Sequence, residues 1–236
     1  MAVLDSALAL GLGLGPSAAV LYHAVDRFHH PNVDKTLMDD AKLFLSFAVG
    51  MILGAVSGVF DRLIPLDDVL SILVLLFLLA LFEETFKLLY VNFKRFQKRF
   101  DTTYYGLAIG LGMAATLNWS NAQQIVSIRD GTGIVLLLLF SLIVVFLHAF
   151  TGSVIGFGSA HAQNWRCFPQ AVLTRGLFIL VLAPVFVGSG LSAGVIVSLG
   201  LALLLAFVLY YFTYKFYLVQ TLPRELFPRK RPKAGD

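Results

Sequence analysis

Seven apolar runs, each close to the length that crosses a bilayer, fix what this chain can fold into. They cover Ala7–Tyr22, Leu43–Phe60, Val69–Tyr90, Tyr104–Val126, Ile134–Gly158, Ala171–Val187 and Ala193–Tyr214. A helical span takes roughly 17–25 predominantly apolar residues, and in hydrocarbon its backbone N–H and C=O groups must pair within the segment. The expected fold class is therefore an all-α polytopic membrane protein with seven transmembrane helices. A mean hydropathy of +0.82 excludes a soluble globular chain. The first run could be mistaken for a secretory signal, but Asp5 precedes it and no Lys or Arg does, so it is read as a true span. Residues 1–222 form one membrane domain, and 223–236 form a Pro-containing basic tail.

Charge between the runs sets the orientation. Arg27, Lys35 and Lys42 follow the first span, and Lys94, Arg95, Lys98 and Arg99 follow the third. Arg166 and Arg175 flank the loop after the fifth, and Lys215, Arg224, Arg229, Lys230, Arg231 and Lys233 lie at the C-terminal end. The opposite loops hold only Arg62 and Arg129. The positive-inside rule then puts the N-terminus outside and the C-terminus in the cytoplasm. On this reading Arg175 is a snorkelling residue at the start of the sixth span. The tail is expected to lie along anionic lipid, at about 1 kcal/mol per basic residue near the surface. The net charge of +4 sits beside spans and does not point to nucleic acid. A lone cysteine, Cys167, rules out an internal disulfide framework and thiolate zinc sites.

The fourth run is the least apolar. Its middle is rich in small residues from Gly106 to Ala115, and its end turns polar at Asn118, Ser120, Asn121, Gln123 and Gln124. Small residues let helices approach closely in lipid, which predicts a central place in the bundle.

The chemistry is concentrated in the third run. Glu83, Glu84 and Lys87 lie near its end, and the sequence has only one other glutamate, Glu225. Ionised groups at membrane depth are costly and mark a protein interior or a water-filled cavity, usually a functional one. On a helix Lys87 is i+4 from Glu83 and i+3 from Glu84, so one ammonium can serve both carboxylates. The bland alternative is a structural ion-pair cluster at the helix end. His148 is the only histidine well inside a span, with Ser141 before it and Thr151 and Gly152 one turn later. His23, His29, His30 and His161 read as interfacial.

Glu84 and His148 lie roughly 22 Å and 21 Å below the outer starts of their helices at 1.5 Å per residue, so they can be level. By the same count Asn118 comes out nearer the outer face. A zinc site would have only Glu83, Glu84 and His148 to draw on, and neighbours on one helix diverge by about 100°. A carboxylate acting as general base on water, with His148 polarising a carbonyl, needs fewer groups and no cofactor. A small transporter would also use such groups, but no inverted repeat or second ionisable set accompanies them.

Glu83-Glu84-Thr85-Phe86-Lys87 resembles the EExxK motif of the PrsW family of intramembrane proteases, relatives of the type II CAAX prenyl endopeptidases. Gly15-Pro16 through Asp26-Arg27 resembles that family's first span. Asp101 to Gly106 followed by Gly110 to Asn118 resembles its second motif, and His148 to Gly152, with Gly156 and Phe157, its third. The resemblance implies a protease of the cell membrane acting on a membrane-anchored peptide near the cytoplasmic leaflet. In it Glu83 would activate water, Glu84 would tune it, Lys87 would balance their charge, His148 would stabilise the oxyanion and Asn118 would assist. The chain departs from the pattern where the family has the glutamate of its second motif, for Leu117 stands there, and Met113 replaces a phenylalanine. The seven-helix scaffold subunit of gamma-secretase is similar in topology and also lacks that acid. That likeness implies the alternative of a catalytically inactive scaffold or substrate-binding protein with a partner membrane subunit.

Overall fold

A computed structural model describes residues 2–26, 38–61, 68–125, 131–187 and 192–221. Arg27, His29, His30, Lys35, Arg62, Arg129 and the basic tail lie outside the described residues. The described residues form α1 (Ala2–Asp26), α2 (Asp40–Asp61), α3 (Val69–Val91), α4 (Thr102–Ile125), α5 (Gly131–Ala160), α6 (Asn164–Val187) and α7 (Ala193–Phe212). A π-helical turn, Thr213–Tyr217, continues α7 into a short α8, Leu218–Gln220. No strand occurs among the described residues.

Six of these helices are long and apolar enough to cross a membrane, and α4 is not among them. Of the seven spans expected, six are thus candidates by length and composition, and the lower hydropathy of α4 has a physical reason. Every residue from Asp101 to Asn118 is buried within the protein. A helix with no lipid-facing side needs no lipid-compatible side, so α4 can be built of Gly, Ala and Thr where its neighbours use Leu and Val.

Close approach is what the small residues supply. A Cβ on Gly110 would run into the carbonyl oxygen of His148, and one on Gly50 into that of Ile109. Thus α5 and α2 each press a backbone against α4, the mode of packing that holds helices together where lipid offers no hydrophobic drive.

α3 starts at Asp68, which caps it in an extended conformation and accepts the Ser71 N–H at 3.0 Å. Hydrogen bonds from Ser71, its side chain first and its backbone N–H second, hold the Asp68 carboxyl below the usual carboxylate range. Leu70, Leu78, Phe82 and Leu89 of α3 point outward, while Glu83, Glu84 and Lys87 are buried. The helix is therefore apolar toward lipid and charged toward protein.

The end of the bundle that carries Lys94, Arg95, Lys98 and Arg99 is tied by polar bonds. Ser159 donates to the Val91 carbonyl at 2.9 Å, and Asn164 Nδ2 donates to Asn92 Oδ1 at 3.0 Å, joining α3, α5 and α6. The Tyr104 hydroxyl reaches the Leu218 carbonyl at 3.1 Å and draws α8 against α4.

Candidate active site

Helix periodicity puts Ile72, Leu76, Leu79, Ala80 and Glu83 on one face of α3, and that face walls a cavity of about 260 Å³. Phe178, Ile179, Leu182 and Phe186 of α6 face it, α5 backs it from Phe140 to His148, and α4 contributes Leu117 and Asn121. From Ile72 to Glu83 the wall runs about 16 Å. Its titratable groups are gathered at one end, in Glu83, His148 and Arg175. One turn further, Lys87, Thr151 and Ala171 are fully buried, so the cavity is closed toward the basic end of the bundle.

Lys87 is saturated. Its ammonium donates to Glu84 Oε1 at 2.7 Å and to Thr151 Oγ1 at 2.9 Å, and lies 3.1 Å from His148 Nδ1. An ammonium has three donors and no acceptor, so Nδ1 accepts and the neutral imidazole carries its proton on Nε2. That Nε2 is 3.8 Å from Glu83 Oε2 and has no hydrogen-bond partner. A buried donor without a protein partner, at this end of the cavity, is free to bond to a group that enters it.

Glu83 is held from two other helices. Ser57 of α2 donates to Oε1, and Arg175 of α6 donates to Oε2. Arg175 Nε stands 3.6 Å from Glu84 Oε1 and has no hydrogen-bond partner, as is true of Glu84 Oε2. Two carboxylates and two cations meet here with side chains at most 15% exposed. Their formal charges cancel, which is how such groups are kept ionised out of water.

Four of the five sequence-predicted site residues, Glu83, Glu84, Lys87 and His148, come together. Asn118 does not join them. Its Nδ2 donates to the Ser141 carbonyl at 3.1 Å and to Ser141 Oγ at 2.9 Å, and Ser141 Oγ donates in turn to Leu12 O at 2.8 Å. Asn118 thus fastens α4 to α5 and α1. Leu117, beside it, is the residue of that pair that lines the cavity.

Arg175 corrects an expectation. Helix α6 begins at Asn164, seven residues before the apolar run, which puts Arg175 in mid-helix and in the charge cluster, away from the helix end. Reading the polar Asn164–Gln170 stretch as loop hid this. Ser57 left no signal, because a serine among glycines and alanines in an apolar helix reads as close packing.

These helices and this cluster define a multi-pass membrane protein with ionised side chains buried against an apolar cavity. Residues 41–217 match the family model described as PrsW family intramembrane metalloprotease, and the chain belongs to that family. No curated protein and no solved structure matches it.

The family description implies a metal, and the donors can be tested for one. A catalytic zinc takes three protein ligands with free lone pairs and an open position. Among the described residues no group of three or more His, Cys, Asp and Glu is placed to hold an ion. Both Glu83 oxygens, Glu84 Oε1 and His148 Nδ1 are already engaged by Ser57, Arg175 and Lys87, and of the two atoms left without partners Glu84 Oε2 can accept while His148 Nε2 carries the ring proton. A divalent ion would add two positive charges to a cluster that is already balanced. The residues as arranged do not fit a metal.

Proposed function

We propose that this protein is an intramembrane endopeptidase that hydrolyses a peptide bond of a membrane-anchored substrate with water activated by Glu83, without a metal. The observation that carries the reading is the partnerless His148 Nε2–H 3.8 Å from Glu83 Oε2 at the cavity end. It sets an electrophilic donor beside a carboxylate base, the pair that acyl transfer to water requires. Glu83 takes a proton from water as the water oxygen bonds to the carbonyl carbon. The carbonyl π pair moves onto oxygen, and His148 Nε2–H donates to the resulting oxyanion. As the intermediate collapses, the C=O re-forms, the C–N bond breaks, and the proton on Glu83 passes to the departing nitrogen. Glu84 and Lys87 balance the local charge, and Lys87 fixes the imidazole tautomer. Asn118 serves by position only, through Ser141.

In this reading α4 is a seventh, inner span, the N-terminus is outside and the C-terminus cytoplasmic. The basic loop between α3 and α4 then faces the cytoplasm, and the bond is cut in the cytoplasmic half of the cell membrane. The basic tail would hold anionic lipid.

The test is cleavage of a panel of single-span membrane peptides by the purified protein in lipid vesicles, alongside Glu83→Gln and with a chelator. Expected is cleavage that Glu83→Gln abolishes and the chelator leaves intact. Loss with the chelator would overturn the metal-free mechanism. Leu117 supports a second reading, a scaffold or substrate-binding protein with a partner subunit, because an apolar side chain lines the cavity at the position of the family's second-motif acid. Binding of the panel without cleavage by the wild-type protein would decide for it.

A further inference from the structure

Only one of the two buried cations can meet a substrate. Lys87 lies below the cavity with all three donors committed to Glu84, His148 and Thr151. Arg175 lines the cavity, is the more exposed of the two at 15%, and leaves its Nε–H without a hydrogen-bond partner. It also sits on the atom the reaction needs. Its NH2 group donates to Glu83 Oε2, the oxygen nearest His148 Nε2, while Ser57 covers Oε1. A base whose two oxygens are both bonded, one of them to a guanidinium, is a poor acceptor for the proton of water.

We propose that Arg175 is a catalytic residue whose guanidinium passes from Glu83 to the substrate's carbonyl oxygen as the tetrahedral intermediate forms. This rests on the protease reading above. The move does two things at once. It uncovers Glu83 Oε2 for the water proton, and it brings a positive charge and a second N–H donor to the oxyanion beside His148 Nε2–H. Charge is conserved through the step, because Glu83 becomes neutral as the carbonyl oxygen becomes negative, and Arg175 follows the negative charge. A planar guanidinium with five donors can hold one partner while taking another, which an ammonium on the same stem does less well. The α6 helix that carries Arg175 also supplies Phe178 and Leu182 to the cavity wall. Substrate filling the cavity therefore touches the element that must move.

The experiment uses the single-span peptide that the wild-type protein in vesicles cleaves fastest. Removing one oxyanion donor from an acyl-transfer site costs about 10²–10³ in kcat. Arg175→Lys keeps a cation opposite Glu83 and so keeps the fold. It is expected to lower kcat by about 10–100-fold with KM within about threefold of wild type. Arg175→Ala is expected to lose about 10³ and to regain at least about tenfold with added guanidinium ion, but not with ammonium. A fixed counterion would give another pattern, with Arg175→Lys close to wild type in kcat and no difference between the two added cations. That result, with Glu83→Gln still inactive, would overturn the role of Arg175 and leave the protease reading standing. If the wild-type protein cleaves no member of the panel, both fall together.

Discussion

Asp101 and Glu83 are two buried carboxylates held by the same kinds of partner, one arginine and one hydroxyl. Asp101 takes Arg99 in a bidentate grip, Nε to Oδ1 at 3.0 Å and NH2 to Oδ2 at 2.8 Å, and the Tyr105 hydroxyl also donates to Oδ2 at 2.8 Å. Those partners come from the same short stretch of chain, and no buried side-chain oxygen of Asp101 or Tyr105 is left without a partner. Glu83 takes one guanidinium nitrogen from α6 and one hydroxyl from α2, with partnerless donors on Arg175 and His148 close by. The first arrangement is local and closes the helix start. The second is assembled from three helices and left incomplete at a cavity, so its partners can be exchanged. Burial and ion pairing are common to both. On the protease reading, what separates a lock from a working site is unspent hydrogen-bonding capacity beside a space that a substrate can enter.

The widest separation between the two is expected on neutralising each carboxylate. Glu83→Gln should lower peptide cleavage by at least about 10³-fold, as loss of a general base and its local charge does, while folded yield is kept. Asp101→Asn should do the reverse, with cleavage per folded molecule near wild type and stability lower by about 1–3 kcal/mol, read by thermal unfolding in detergent. If Asp101→Asn also removed activity from fully folded protein, the distinction drawn here would be lost. Gly110→Ala comes next. It forces α5 away from α4 at His148 and should cost about 1–3 kcal/mol, with a fall in kcat larger than that from an equal loss of stability placed elsewhere. Ser57→Ala is the smallest. It loosens the orientation of the Glu83 carboxylate and should lower kcat by about tenfold while changing stability by about 1 kcal/mol.

Much of the site was legible because charge is scarce in the chain. Glu83, Glu84, Lys87 and His148 stand out against apolar neighbours, and helix geometry with a depth count places them level. The same count put Asn118 elsewhere, and its bonds to Ser141 are where it went. Arg175 was visible as a charge but misassigned in depth, because hydropathy marks where lipid begins and the helix starts earlier, at Asn164. Ser57 was not legible, since nothing local distinguishes a serine that meets a carboxylate from one that merely allows close packing. Hydropathy likewise undervalued α4, whose surroundings are protein on every side.

The burial of α4 has a bearing on how the chain enters a membrane. Its sequence carries too little apolar surface to be held by lipid alone, and its glycine faces fit only the backbones of α2 and α5. On the seven-span reading, α4 has no stable place in the bilayer until α5 is available to cover it. It is therefore expected to enter the membrane with α5 as a pair. A chain stopped between the two would leave a polar, glycine-lined helix for quality control to find. The small residues that let α2 and α5 close on α4 thus also tie the first half of the bundle to the second.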